Sequence, residues 1–134
     1  MVRSRIALLL LLPFLLPLMA FRQSPLVDPA PIPLSAKISE DQATKAIKMA
    51  LLHRGWEATA EKAGEIDATL HLRDHVAEIA ITFDASSIQI HYVNSSNLKY
   101  EIKKDGTRLI HTNYLSWIEN IVLDIKTNLI MFGG

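Results

Sequence analysis

Two histidines four residues apart, His71 and His75, flank Arg73 and Asp74 in the stretch LHLRDHVAEI, residues 70–79. Histidine ligates metals and moves protons near neutral pH, and arginine pairs with carboxylates and phosphates. On a helix a His-x3-His pair would share one face, the arrangement zinc sites use. The surrounding period is that of a strand. Ile66, Ala68, Leu70 and Leu72 alternate with polar residues, and Ala77, Ile79, Ile81 and Phe83 repeat at the same spacing of two. Matching the apolar faces sets Leu72 opposite Ala77, Leu70 opposite Ile79 and Ala68 opposite Ile81, with residues 73–76 in the turn. His71 then sits on the polar face opposite Glu78, and His91 lies opposite Ala80 on the next strand. Strand spacing separates His71 from His91 by on the order of 10 Å, whereas zinc holds nitrogens at about 2 Å. His71, Glu78 and His91 therefore do not converge, and neither a metal nor another cofactor is expected. Arg73, Asp74 and His75 read as a recognition patch at a hairpin tip, since loops carry binding residues more often than strands.

Other chemistry is sparse. The chain has no cysteine, no Gly-x-Ser-x-Gly elbow and no phosphate-cradling glycine loop; its five glycines are scattered and two are terminal. No catalytic residue is assigned. Asn94-Ser95-Ser96 matches a glycosylation sequon, but Asn94, Ser95 and Asn97 are expected to bond to their own loop backbone. Tyr114 and Trp117 read as core anchors with polar ends, placed beside His111 at the start of the last helix.

The elements that position these residues follow from capping and period. Ser39 with Gln42 forms a capping box, Ala43, Ala46, Ile47, Ala50 and Leu51 make one stripe, and Gly55 ends a helix over 40–54. The period then becomes two. Trp56, Ala58 and Ala60 begin a series of five short strands that ends on Leu98, Tyr100 and Ile102, with Phe83 opposite Ile88 and Tyr92 opposite Leu98. Asp105-Gly106 signals a hairpin, with a short sixth strand near 108–110. A second helix, capped by Thr112 or Asn113, carries Tyr114, Trp117, Ile118, Ile121, Ile125 and Leu129 on one face and runs to about 131, beyond which Gly133-Gly134 frays. The expected fold class is α+β: a two-layer sandwich, an antiparallel five-stranded meander with the N- and C-terminal helices packed on one face.

Ahead of this domain, Arg3 and Arg5 precede the uncharged run IALLLLLPFLLPLMA, which reads as a signal peptide over 1–20, cleaved after Ala20. With no cysteine, a lipoprotein anchor is closed. Residues 21–37, with Pro25, Pro29, Pro31 and Pro33, read as an extended proline-rich linker, leaving 38–132 as a single α+β domain. Without Arg3 and Arg5 the 14 basic residues fall to 12 against 14 acidic, a net charge near −2. That charge does not attract nucleic acid.

Taken together, Gly55-Trp56, Arg73, His75, Ser96-Asn97-Leu98, Tyr100, His111, Tyr114 and Trp117 resemble the pattern of a family of small, uncharacterised secreted proteins and lipoproteins of Gram-negative bacteria. The resemblance spans about residues 40–130 and implies an envelope setting and a compact domain, with no reaction attached. Arg73, His75, Asn97, His111 and Tyr114 are the expected binding residues. Alternate turns of a meander share one end, so Arg73 and His75 should lie near Asn97. The expected function is a non-enzymatic binding or interaction module of the periplasm, its partner an envelope protein or peptide. The alternative is a small ligand-binding protein or hydrolase using Arg73, His75 and His111, which requires an enclosed pocket of a few hundred Å³. A third reading is a structural protein held in the membrane by an uncleaved N-terminal segment.

Overall fold

The computed structural model describes residues 22–134, so the signal-peptide expectation for 1–20 lies outside the described residues. The chain runs β1 (Gln23–Pro25), β2 (Ile32–Pro33), α1 (Glu40–His53), β3 (Glu57–Lys62), β4 (Glu65–Leu72), β5 (His75–Phe83), β6 (Ser87–Ser96), β7 (Glu101–Ile102), β8 (Arg108–His111) and α2 (Thr112–Met131). The fold is α+β, with a five-stranded antiparallel sheet ordered β2-β6-β5-β4-β3 and a three-stranded sheet ordered β1-β8-β7.

Helix α1 forms as its caps dictate. The Gln42 N–H donates to Ser39 Oγ at 3.1 Å and Gln42 Oε1 accepts from the Ser39 N–H at 3.0 Å. At the other end Gly55 takes φ +80°, and the Trp56 and Gly55 N–H groups donate to the Leu51 and Leu52 carbonyls. This left-handed closure favours glycine and aims Trp56 back at the core. Helix α2 closes in the same manner: the Gly133 and Gly134 N–H groups donate to the Ile130 and Leu129 carbonyls, so the expected fraying does not occur.

The two helices run antiparallel over one face of the larger sheet. Ala46, Ile47, Ala50 and Leu51 of α1 and Ile118, Ile121 and Ile125 of α2 share a core with Ile66, Ala68, Ala77, Ile79, Ile81, Ile88 and Ile90. Asn128 Nδ2 donates to the Ala46 carbonyl, and Asp124 binds Arg54, tying the helices at two levels.

The hairpin of β4 and β5 keeps its faces but shifts by two residues. Leu70 pairs with Ala77, Ala68 with Ile79 and Ile66 with Ile81, while Leu72 pairs with His75. A two-residue shift preserves parity, so the same side chains stay buried. The turn shrinks to Arg73 and Asp74, and His71 faces Val76 in place of Glu78. Phe83 opposite Ile88 and Ala80 opposite His91 stand as expected.

Two bulges alter the rest. One at Thr59 reverses the faces of β3: Ala58 pairs with Ala68, but Ala60 pairs with Asp67 and Glu61 with Ile66. Glu61 thereby turns to the helix side, where its carboxylate meets Lys48 Nζ at 2.8 Å. The other, at Val93, lets β6 continue along β5 as far as Ser96 opposite Val76. Tyr92 therefore pairs with Ile79, and the expected strand over Leu98–Ile102 leaves the larger sheet, because Asn97 and Lys99 adopt left-handed φ angles of 58° and 55°.

Its place at the sheet edge is taken by the proline-rich segment. The expected tether lies on the domain: Ile32 pairs with Ile88, Ser24 pairs with Ile110, and Leu26 and Ile32 are buried in the core. Proline cannot donate to a ladder but fits an edge strand, which is where Pro25 and Pro33 sit.

Candidate functional site

The two-residue shift of the hairpin decides where His75 goes. As the first residue of β5 it shares parity with Ala77, Ile79 and Ile81, and so projects from the helix-covered face beneath the start of α2. Its ring centre lies 6.3 Å from that of Trp117 and 6.4 Å from that of His111. Its Nδ1 donates to the Asn97 carbonyl at 2.7 Å. A carbonyl only accepts, so this bond places the proton of a neutral ring on Nδ1 and leaves a lone pair on Nε2, 3.8 Å from Asp74 Oδ1.

His111 ends β8 and caps α2. The Asn113 N–H donates to its Nδ1 at 3.1 Å, which supplies an acceptor for one of the orphan amides of the first turn. The cap expected at Thr112 or Asn113 is thus one or two residues earlier, in an unusual residue type for it. Accepting at Nδ1 leaves the proton on Nε2. Partial burial, followed by the charges of Lys99, His75 and Arg22, holds this imidazole below the usual histidine range.

Backbone bonds gather these groups. The Thr112 N–H donates to the Arg22 carbonyl and the His111 N–H to the Leu98 carbonyl, each at 2.8 Å, and Gln23 Nε2 donates to the Lys99 carbonyl at 2.7 Å. Asn97 Nδ2 reaches the Asp74 carbonyl at 3.5 Å. Arg73 has φ 59° at the first central position of its turn, where a type II′ geometry favours glycine. Three non-glycine residues with left-handed backbone, Arg73, Asn97 and Lys99, therefore stand around one pair of imidazoles.

Of the five expected binding residues, His75, Asn97 and His111 converge, and Arg73 lies in the adjoining turn. Tyr114 does not join them. It is 2% exposed and meets the Tyr92 ring edge-on, in a trio completed by Tyr100 stacked on Tyr92 at 4.7 Å. Burial pushes the Tyr114 hydroxyl pKa up strongly. Arg22 and Lys99 enter the cluster unannounced by their local sequence, and Trp117, expected as a core anchor beside His111, stands next to His75.

Beside Trp117 opens a cleft of about 120 Å³ lined by Arg54, Trp56, Leu70, Leu72, Trp117 and Asn120. Leu72 is 40% exposed there and is the cross-strand partner of His75, so cleft and imidazole cluster adjoin. Arg54 is fixed in the cleft wall by Asp124, whose oxygens accept from its Nε at 2.7 Å and its Nη2 at 3.1 Å.

The uncovered sheet face carries a second polar arrangement. His91 Nε2 lies 3.0 Å from Thr82 Oγ1, and His91 Nδ1 lies 3.9 Å from Asp28 Oδ2. An acid, an imidazole and a hydroxyl in that order resemble a nucleophilic relay. Thr82, however, lies on the central strand β5, paired on both sides, so the amides around it are spent on ladders and do not form an oxyanion hole. Asp28 serves the fold instead. Its Oδ1 accepts from the Tyr92 N–H at 3.0 Å, clasping the proline-rich segment to the β6 edge. Reading that segment as a tether hid the contact. Nearby, Asp67 Oδ1 is buried without a hydrogen-bond partner, at the wall of a shallow hollow shared with Glu65 and Glu78.

Among the described residues no three His, Asp or Glu side chains are grouped to hold a metal ion, and no helix is long and apolar enough to cross a membrane. Comparison with protein-family models, curated proteins and solved structures gives no match.

Proposed function

We propose that this chain is a non-enzymatic binding module of the cell envelope whose recognition surface is the loop end built from Arg22, Arg73, His75, Asn97, Lys99 and His111 around Trp117. One observation carries the reading: four segments distant in sequence deliver cationic and hydrogen-bonding side chains to one place, at the cost of left-handed backbone at Arg73, Asn97 and Lys99. At Arg73 and Lys99 such strain costs on the order of 1–3 kcal/mol per residue, whereas asparagine tolerates it, and strain of this kind clusters where a protein binds or switches. The His75 and His111 rings are partnered by a backbone carbonyl and a backbone amide, with no hydroxyl bonded to either among the described residues, which supports binding over acyl transfer. The envelope setting rests on Arg3, Arg5 and the apolar run to Ala20. Secretion predicts a mature chain that begins at Phe21, readable by mass spectrometry.

The test is site-specific photo-cross-linking in the producing cell. A photoreactive residue at position 73 is expected to capture a discrete partner, while one at position 89, on the uncovered sheet face, captures none. Capture from 89 and none from 73 would remove the loop end as the recognition surface.

A further inference from the structure

The geometry points to a specific ligand chemistry for that loop end: the C-terminal residue of a peptide, its free carboxylate at the His75–His111 pair and its apolar side chain in the cleft beside Trp117. The inference rests on the loop end being the recognition surface and goes beyond it by naming what is read.

The anion half follows from charge and from which atoms are free. Backbone partners occupy Nδ1 of both rings: the His111 Nε2–H is a donor open to a carboxylate, and His75 Nε2, a lone pair on the neutral ring, becomes a second donor when that ring is protonated. Arg22 and Lys99 add two full positive charges that act on the His111 ring, and their backbones are brought there by the bonds from Thr112 to Arg22, His111 to Leu98 and Gln23 to Lys99. Asp74 does not neutralise them: its Oδ1 lies 3.8 Å from His75 Nε2 and its side chain is 78% exposed, where water screens it. A carboxylate accepts several charge-assisted hydrogen bonds at once and is the complement of such a cluster.

The apolar half follows from size and adjacency. Sites for whole small molecules occupy about 300–1,000 Å³. A cleft of about 120 Å³ takes one side chain and lacks the volume for a whole acyl chain. Trp117 forms one wall of the cleft, and its ring centre lies 6.3 Å from that of His75. Leu72, which also lines the cleft, pairs directly with His75. Cross-strand partners have Cα atoms about 5 Å apart, so cleft and cations are separated by the distance at which a carboxylate and a side chain diverge from one Cα.

The full chain is titrated with N-acetyl hexapeptides that are identical except at the end: leucine with a free carboxylate, leucine as the carboxamide, and aspartate with a free carboxylate. Phosphatidylglycerol vesicles form a fourth arm; the His75, His111 and Trp117 ring resonances are followed, with the His91 ring reporting on the uncovered sheet face. The leucine acid is expected to shift all three saturably, with the carboxamide and the aspartate peptide each weaker by about tenfold or more. Lys99→Gln should weaken the leucine acid several-fold, and Leu72→Asp should abolish its binding; both side chains are exposed, so the fold survives. Equal binding of acid and carboxamide, or shifts caused by vesicles alone, overturns the carboxylate inference and leaves the loop end as a recognition surface. Absence of any shift at millimolar peptide overturns it as well, and cross-linking at position 73 then decides the wider reading independently. Shifts confined to the uncovered sheet face remove both.

Discussion

The rings of His75 and His111 stand 6.4 Å apart, and backbone groups fix them as opposite tautomers: His75 donates from Nδ1 to the Asn97 carbonyl, whereas His111 accepts at Nδ1 from the Asn113 N–H. Each ring is thus a structural part as well as a surface group. His75 fastens the β6 end to the β4–β5 turn, and His111 starts α2.

The cap makes stability depend on pH with a definite sign. His111 titrates below the usual histidine range, through burial first and then Lys99, His75 and Arg22. As pH falls from about 7, the unfolded chain takes up this proton first, at about 6.5. The His111 contribution to stability therefore declines through that window and levels off below its folded pKa. His111→Asn keeps a cap acceptor without titrating, so its stability loss between pH 7 and 5 should be smaller. His111→Ala should cost about 0.5–2 kcal/mol at pH 7. Urea unfolding at both pH values checks this, and identical pH slopes for wild type and His111→Asn would contradict the cap role.

A second titration acts in the same direction, in a lower pH window. Asp124 receives hydrogen bonds from Arg54 and lies 2.8 Å from His53 Nδ1, and the Arg54 bond foremost holds its carboxyl at about 2. A depressed carboxylate stabilises above its unfolded pKa of about 3.9, and that contribution is lost as pH falls through its folded value. Asp124→Asn should lower the thermal midpoint at pH 7 by roughly 4–8 °C. The two melting curves should converge near pH 2. A constant offset from pH 7 to pH 2 would show that charge at Asp124 is not what joins the helices.

Parity was the legible part of this fold. Alternation from Ile66 to Ile90 identifies the buried faces, and it survives a two-residue register shift because the period is two. It fails at Thr59, where one extra residue turns Glu61 toward Lys48, and nothing local marks that bulge. Of the site, the proximity of His75 and Asn97 followed from the rule that alternate turns share an end. His111 arrives through a second sheet, and Arg22 through β1, which are tertiary events. Tyr114 is the core anchor its sequence context suggests and not a binding residue; an aromatic at i, i+3 from His111 looks the same whether it faces a ligand or the core.

Strain at the loop end should be separable from stability. Arg73 and Lys99 hold φ 59° and 55°, a region that disfavours side chains with a Cβ, whereas Asn97 at 58° is a residue type that tolerates it. Arg73→Gly and Lys99→Gly should each raise stability by up to about 1 kcal/mol, since relief of strain outweighs the added backbone freedom of the unfolded chain. Asn97→Gly should be nearly neutral. Denaturant midpoints give the comparison. If all three substitutions destabilise equally, the backbone stores no strain and the argument from strain to recognition fails.

The proline-rich segment offers the sharpest contrast between composition and packing. Four prolines argue against a helix or a central strand, and that much holds. Yet Ile32 is 3% exposed and Leu26 4%, because an edge strand needs donors on one side only and Asp28 clasps the segment to β6. Ile32→Ala removes buried methyl groups from the shared core and should cost about 2–4 kcal/mol. Val27→Ala, at a side chain 72% exposed in the same segment, should change stability by no more than about 0.5 kcal/mol. Equilibrium unfolding of the two variants decides the matter. A tether would leave both indistinguishable from wild type, and only a segment packed as part of the domain separates them.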